Sequence, residues 1–261
     1  MNEYALITGA SGGIGLELSY LCAEDGYNLI LIARSEDKLK DISDEITGNY
    51  DVDVKIICKD LSDPSSAKEI YERVHGEQLD VSILINNAGF GGTGSFAETD
   101  LKNELEMMQV NMVSLVELTK YFLPVMITEK HGKIMNVAST AAFVPGPFMS
   151  IYYATKAFVL SFSEALANEL KGTGVTVTAL CPGPTYTDFQ KRANVETARL
   201  FRHNVMDARK VALTGYRGLM KGKSVVIPGV FNKLMIQSSR FAPRKTLTAI
   251  SRWLQSKRKK E

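Results

Sequence analysis

The sequence predicts an α/β fold: a single doubly wound parallel sheet of about seven strands with helices on both faces. Three observations carry this expectation. Seven short runs of aliphatic and β-branched residues recur from end to end of the chain. Each is almost continuously apolar, as a strand buried on both faces must be. Amphipathic stretches of helical length separate them, which suits parallel strands joined by crossover helices.

The first strand is YALIT, residues 4–8. The helix after it begins near Gly13, carries Ile14, Leu18, Leu21 and Cys22 at helical spacing, and stops at Gly26, a residue suited to a left-handed cap. NLILIA (28–33) is the second strand. Its helix starts from Ser35, a residue type that caps helix amino termini, and puts Leu39, Ile42 and Ile46 on one side. VDVKIIC (52–58), VSILIN (81–86), GKIMNVAS (132–139), VTVTALC (175–181) and SVVIP (224–228) supply the other five strands. One domain, residues 1–230, contains this alternation. An irregular insertion at about 186–206 precedes the last helix and strand, and a helical tail spans 231–261.

Composition narrows the function classes. With 261 residues, 45% apolar and 23% charged, the chain is long enough to bury a large core and too apolar for disorder. A formal charge of +2 is too small to argue for nucleic acid. Cys22, Cys58 and Cys181 are odd in number and lie in apolar segments, so they read as small buried residues in a reducing compartment. His75, His131 and His203 lack metal spacing, so neither a metal site nor a Ser-His-Asp site is expected. The amino terminus lacks a basic segment followed by an apolar run, and the expected location is cytoplasmic.

The first strand runs into TGASGGIG at 8–15, at the head of a helix. Gly9 permits a tight turn, Gly13 lets the backbone approach a pyrophosphate, and Gly15 lets helix and strand pack closely. The helix amino terminus then faces the phosphates. A glycine cluster there is also compatible with a simple turn. At the end of the second strand, where an NAD site holds an acidic residue, this chain has Ala33, Arg34 and Ser35. A carboxylate would repel a 2′-phosphate and Arg34 pairs with one, so NADP(H) is expected over NAD; a solvated Arg34 is the plainer alternative.

Together, TGASGGIG (8–15), NNAG (86–89), NVAS ending at Ser139, YYATK (152–156) and PGPTYT (182–187) resemble the short-chain dehydrogenase/reductase family in order and spacing, over roughly residues 4–230. The resemblance implies a Rossmann-type domain that moves a hydride between a nicotinamide and a carbonyl or alcohol. It makes Tyr152 the acid/base, because Lys156 follows four residues later on the same helix face; Tyr153 lacks that partner. A free phenol titrates near ~10, and bringing it to neutrality takes about 4 kcal/mol of preference for phenolate. A nearby ammonium and an oxidised nicotinamide push that way.

In relatives the lysine also holds the nicotinamide ribose, the residue matching Ser139 hydrogen-bonds the substrate oxygen, and the one matching Asn111 binds a water in a proton relay. The resemblance further implies cofactor contacts from Gly9, Ser11, Gly13, Ile14 and Gly15, from Arg34 and Ser35, and from Asp60 and Leu61 at the adenine. Asn86, Asn87, Ala88 and Gly89 follow the fourth strand beside the adenine ribose, and Pro182, Gly183, Thr185 and Thr187 orient the carboxamide. Asp60 reads equally as a helix-entry residue. Helices containing Asn111 and Tyr152 form the dimer bundle in many relatives, which implies a homodimer or homotetramer.

The loops 89–96 and 140–150 and the insertion, with Phe189, Leu200, Phe201 and Met206, are rich in apolar side chains. They favour an apolar or lipid-like ketone, aldehyde or alcohol. Arg192, Arg199, Arg202 and His203 offer a clamp for a carboxylate or a carrier's phosphate, or a solvated surface. The stripe Leu247, Ile250, Trp253 and Leu254 beside a basic end suits a packed terminal helix, a membrane contact, or a cover for a neighbour's substrate mouth. A catalytically silent dinucleotide sensor and a hydrolase built on Ser139 and Lys156 are the competing classes. Binding alone needs no proton donor, and the serine lacks a nucleophile-elbow glycine pattern.

Overall fold

A computed structural model of the chain describes residues 3–193 and 205–255. Seven parallel strands form one sheet in the order β3-β2-β1-β4-β5-β6-β7. They are β1 (Glu3–Thr8), β2 (Asn28–Ala33), β3 (Val54–Cys58), β4 (Asp80–Asn86), β5 (Gly132–Val137), β6 (Val175–Leu180) and β7 (Val225–Val226). The chain reverses its direction of winding between β1 and β4, and in open α/β sheets that switch point opens a crevice at the carboxyl ends of the strands. β7 is shorter than the sequence suggests: only Val225 and Val226 pair, with Ala179 and Leu180.

Strand residues alternate between two cores. Ala5, Ile7, Leu29 and Leu31 pack with α1 (Gly13–Glu24), α2 (Glu36–Asn49) and a later helix, α8 (Ala208–Met220). Leu6, Ile30, Ile32 and Leu84 pack on the other face against α3 (Ser66–Gly76), α5 (Ser114–Thr128) and α6 (Ser150–Glu169). Leu18, Leu39, Ile46, Ile70 and Leu118 are fully buried, each contributing about 1.5–3 kcal/mol against exposure. Gly26 ends α1 in the left-handed conformation, φ 81°, as the sequence suggests.

The helix α4 (Leu101–Met108) continues through a π turn, Gln109–Val113, into α5. This run of 28 residues is long and apolar enough to cross a membrane by length and composition. Its Leu115, Leu118, Phe122 and Met126 are instead buried against the protein.

A polar rung crosses the second core. Asn86 and Asn136 are register partners on β4 and β5. The Asn86 amide donates to Asn136 Oδ1 at 2.9 Å and to Thr119 Oγ1 at 3.0 Å; Asn136 donates to Ser163 of α6 at 2.9 Å. All four side chains are buried.

Candidate active site

The carboxyl ends of the strands open into one cavity of about 830 Å³. Its floor is the loop after β1. The Thr8 hydroxyl accepts hydrogen bonds from the backbone N–H groups of Asn87 and Ala88, both at 3.0 Å. The Asn87 amide donates to the carbonyls of Thr8, at 2.9 Å, and Gly9, at 3.2 Å. Asn87 therefore ties the glycine loop to the end of β4. Asn86, one residue earlier, turns its side chain to the opposite face and does not border the cavity.

Gly9 and Gly15 take the turn and packing roles that the sequence assigns them, whereas Gly13 does not take its own. Gly9 has φ 66°, and Asn87 and Ala88 fill the place of a Cβ. A Cβ on Gly15 would stand 2.4 Å from the Gly9 carbonyl oxygen; Gly15 does not border the cavity, so it is a packing residue and not a contact. On Gly13 a Cβ would meet the Thr187 methyl at 2.8 Å. Only open space lies within 4 Å of the Cβ position of Gly12, which borders the cavity at the N-cap of α1. Gly12 thus offers the unobstructed backbone surface that the sequence reading gave to Gly13. Ser11 and Ile14 border the cavity beside it.

Arg34, Ser35, Lys38, Lys59, Asp60 and Leu61 close one end. Arg34 is exposed and pairs with Asp60 at 3.6 Å. Asp60 Oδ1 also accepts from the Ser62 N–H and hydroxyl, so it is a helix-entry residue as well as a cavity residue. Burial pushes the Asp60 carboxyl up, but Ser62 and Arg34 outweigh it and hold the group below the usual range. Ser35 occupies the N-cap of α2 without making a side-chain capping bond, contrary to expectation. Lys38, in the first turn of α2, and Lys59 add cationic side chains that sequence reasoning missed. Cys58 is exposed, not buried: it ends the edge strand β3, and its thiol donates to the Arg34 carbonyl at 3.2 Å.

At the other side, the first turns of α6 present Tyr152 and Lys156 to the cavity, beside Ser139 at the end of β5. Ser139 caps a short 3-10 turn, Thr140–Phe143, by accepting from the Ala141 N–H at 3.1 Å, and its hydroxyl interacts with the Tyr152 phenol. Lys156 is buried, donates to the Val137 carbonyl at 2.8 Å, and lies 5.9 Å from the Tyr152 ring centre. Burial pushes the Tyr152 phenol up, with Ser139 opposing. Burial also pushes Lys156 down, to about 8. The lowered phenol expected beside the ammonium is therefore not a property of the chain by itself: loss of water outweighs the Ser139 hydrogen bond that favours phenolate.

Asn111 sits in the π turn, a helix irregularity common at functional sites. Its side chain is buried and does not border the cavity: the amide donates to the Phe90 carbonyl and to Thr155 Oγ1, each at 3.0 Å, and Oδ1 accepts from the Phe90 N–H. It approaches Lys156 across Gly89, whose Cβ would meet Asn111 Oδ1 at 3.0 Å and Lys156 Nζ at 3.3 Å. Ala88 and Gly89 border the cavity, as do Pro182, Gly183, Thr185 and Thr187 after β6. Gln190, in the short helix α7 (Phe189–Arg192), braces that last loop from the Thr187 N–H to the Thr185 carbonyl.

The remaining wall is mainly apolar. Phe143, Val144 and Met149 come from the loop before α6, and the Phe189 ring packs 5.3 Å from that of Tyr152. Phe96 is exposed, outside the cavity. Arg199, Leu200, Phe201, Arg202, His203 and the side chain of Arg192 lie outside the described residues. Two terminal helices, α9 (Val230–Ser239) and α10 (Arg244–Gln255), complete the wall with Met235, Ile236, Leu247 and Leu254. The tail therefore covers the cavity of its own chain. Tyr153 anchors it: buried beside Tyr152, its hydroxyl is hydrogen-bonded to Gln255, and Arg252 of α10 stacks over Phe148. Phe148 is a bulky residue in the left-handed region, φ 67°.

Residues 3–198 match the family model for short chain dehydrogenase. The chain belongs to the short-chain dehydrogenase/reductase family. It is 33% identical to a very-long-chain 3-oxoacyl-CoA reductase of Rattus norvegicus over 188 residues, 70% of this chain and 59% of that protein. It is likewise 33% identical to 17-beta-hydroxysteroid dehydrogenase type 3 of Mus musculus over 220 residues, 82% and 70% of the two chains. Among solved structures, a short-chain dehydrogenase from Sphingobium yanoikuyae in complex with NADPH superposes with a TM-score of 0.83 at 29% identity, covering 92% of this chain and 94% of that one. The match spans about three-fifths of the length of the rat reductase.

Proposed function

We propose that the chain is an NADP(H)-dependent oxidoreductase that interconverts an apolar, lipid-like ketone or aldehyde with its alcohol. The observation that carries this reading is one cavity bordered by a glycine loop and cationic side chains at one end and by Ser139, Tyr152 and Lys156 at the other. The fit to a dinucleotide is tested by the open backbone at Gly12 and by the available hydroxyl of Ser35 between Arg34 and Lys38. Gly9, Ser11, Gly12, Gly13 and Ile14 would hold the pyrophosphate; Arg34, Ser35 and Lys38 a 2′-phosphate; Asp60 and Leu61 the adenine; Asn87, Ala88 and Gly89 its ribose; and Pro182, Gly183, Thr185 and Thr187 the carboxamide. The NADPH named with the Sphingobium relative supports the phosphorylated cofactor.

When bound, NADPH supplies the hydride that reduces the carbonyl carbon. Tyr152 keeps its proton, because burial disfavours the phenolate, and delivers it to the carbonyl oxygen as negative charge develops there. Ser139 accepts from the Ala141 N–H and, in the cofactor-free chain, donates to the Pro182 carbonyl at 3.4 Å; that long bond would be exchanged for one to the same substrate oxygen. Lys156 stabilises the phenolate left on Tyr152 and would hold the nicotinamide ribose. Asn111 fixes the Phe90 backbone behind Lys156 and positions the relay that reprotonates the tyrosine. The apolar wall and the names of the rat and mouse relatives support a lipid-like substrate. Exposed Val113 and Val125 on the Asn111 helix and Phe158 on α6 support a homodimer or homotetramer.

The test is turnover of NADPH with a panel of long-chain ketones, 3-oxoacyl thioesters and steroid ketones. At least one is reduced, and Tyr152→Phe lowers kcat by about 10²–10⁴-fold while NADPH still binds. Tight NADPH binding without turnover on any member of the panel overturns the catalytic reading in favour of a silent dinucleotide binder.

A further inference from the structure

The charge of this chain is segregated along its length. Residues 208–261 hold 14 Lys and Arg against one acidic residue, Glu261, whereas residues 1–207 hold 17 against 28. The near-neutral total conceals a strongly cationic carboxyl-terminal part. Within α9, α10 and their connection, Lys233, Arg240, Arg244, Lys245 and Arg252 are all exposed, and no acidic residue occurs between Val230 and Gln255. Arg252 is engaged over Phe148. Among the described residues, no acidic side chain lies within ion-pair distance of the other four.

The same segment gathers several exposed large apolar side chains. Val230, Phe231, Leu234 and Ile250 are all about half exposed or more, and Phe241 is 89% exposed. Interleaved bulky apolar and basic side chains are the composition that enters the headgroup region of an anionic bilayer: the apolar groups insert and the cations pair with phosphates. Ile250 is both exposed and part of the cavity wall, and Ala242 continues that wall next to Phe241. The apolar surface therefore runs into the cavity that ends at Tyr152.

We propose that α9 and α10 form a docking surface for an anionic lipid bilayer, which sets the mouth of the cavity against the membrane. A second copy placed face to face would bring two cationic surfaces together, whereas acidic headgroups neutralise them. The docking does not depend on the carbonyl chemistry, and it is read without turnover.

The experiment is co-sedimentation of the full chain with vesicles of phosphatidylcholine alone and with about one-third phosphatidylglycerol, alongside sedimentation velocity without lipid. The expected result is at least about tenfold more binding to the anionic vesicles, weakened about fivefold or more when salt is raised to about 0.5 M. The triple variant Phe231→Ser, Leu234→Ser, Phe241→Ser loses about tenfold in partition while its melting temperature and NADPH titration match the unaltered chain. Absent binding, equal binding to both vesicles, or a triple variant that binds like the unaltered chain overturns the proposal. So does a lipid-free dimer that the triple variant dissolves without any vesicle binding, since a second copy then covers the face.

Discussion

Gly12, the N-cap of α1, and Gly15, in its first turn, are three residues apart, and the structure assigns them opposite consequences on gaining a methyl group. Gly12 has an extended backbone, φ 171°, which any residue adopts, and open space where its Cβ would go. Gly12→Ala costs the fold nothing and reduces the freedom of the unfolded chain by about 0.4–1 kcal/mol, so the melting temperature holds or rises by about 1–4 °C. The new methyl stands where a phosphate oxygen must come within about 2.9 Å of the backbone N–H. NADPH binding then weakens by about tenfold or more, at least about 1.4 kcal/mol. Gly15→Ala forces a Cβ to 2.4 Å from the Gly9 carbonyl oxygen and the Asn87 amide. Such overpacking costs about 1–3 kcal/mol, a fall of about 2–12 °C. Thermal denaturation and a fluorescence titration with NADPH read both variants. A Gly12→Ala protein that melts normally and binds NADPH normally refutes the assignment of this loop to the pyrophosphate.

Arg34→Ala is expected to weaken NADPH about tenfold and leave NADH within about twofold, in parallel titrations; equal losses for both remove the 2′-phosphate from Arg34. Lys156 gives a pH signature. Its folded pKa, about 8, lies below the unfolded value near 10.5, so the unfolded state binds more protons between them and stability rises with pH through that window. Relative to Lys156→Met, the cofactor-free chain should gain about 3 kcal/mol by denaturant titration between pH 8 and 10.5; parallel curves exclude the buried ammonium. Tyr153→Phe strands the Gln255 amide and loosens α10, costing about 1–2 kcal/mol and about 2–8 °C. Its KM should rise more for long-chain ketones than for short ones at unchanged NADPH affinity, and a uniform loss for all substrates contradicts a role in the substrate wall.

Much of this molecule was legible before its coordinates, for identifiable reasons. Parallel strands covered on both faces leave continuous apolar runs, so β1, β2, β4, β5 and β6 were visible, while β7 shrank because only two of its residues reach β6. Motif spacing also pointed to the corner formed by Ser139, Tyr152 and Lys156. Side-chain direction at strand ends was not legible, since Asn86 and Asn87 differ by one position and face opposite ways. Nor was the identity of the open glycine, because Gly12 and Gly13 differ only in what surrounds them. The tail was legible only in part: its stripe allowed a packed terminal helix, which it is, but did not say what the helix packs on. An amphipathic stripe states that a helix has an apolar face and not what that face meets, and it took the buried Tyr153 and Gln255 pair to place it over its own cavity.

The rung of Asn86, Asn136 and Ser163 sets a constraint on how this chain can change over generations. It welds the register of β4 and β5 to the height of α6, and so to the position of Tyr152 and Lys156 above the sheet. Removing one member leaves a buried amide or hydroxyl unanswered, at about 1–3 kcal/mol, whereas exchanging the whole set for matched apolar side chains is far cheaper. Drift through single substitutions is therefore blocked at these sites, and lineages are predicted to keep the set intact or to replace it together. The scaffold under the proposed active site is thus inherited as one unit, although the members of the rung are scattered across 78 positions of the chain.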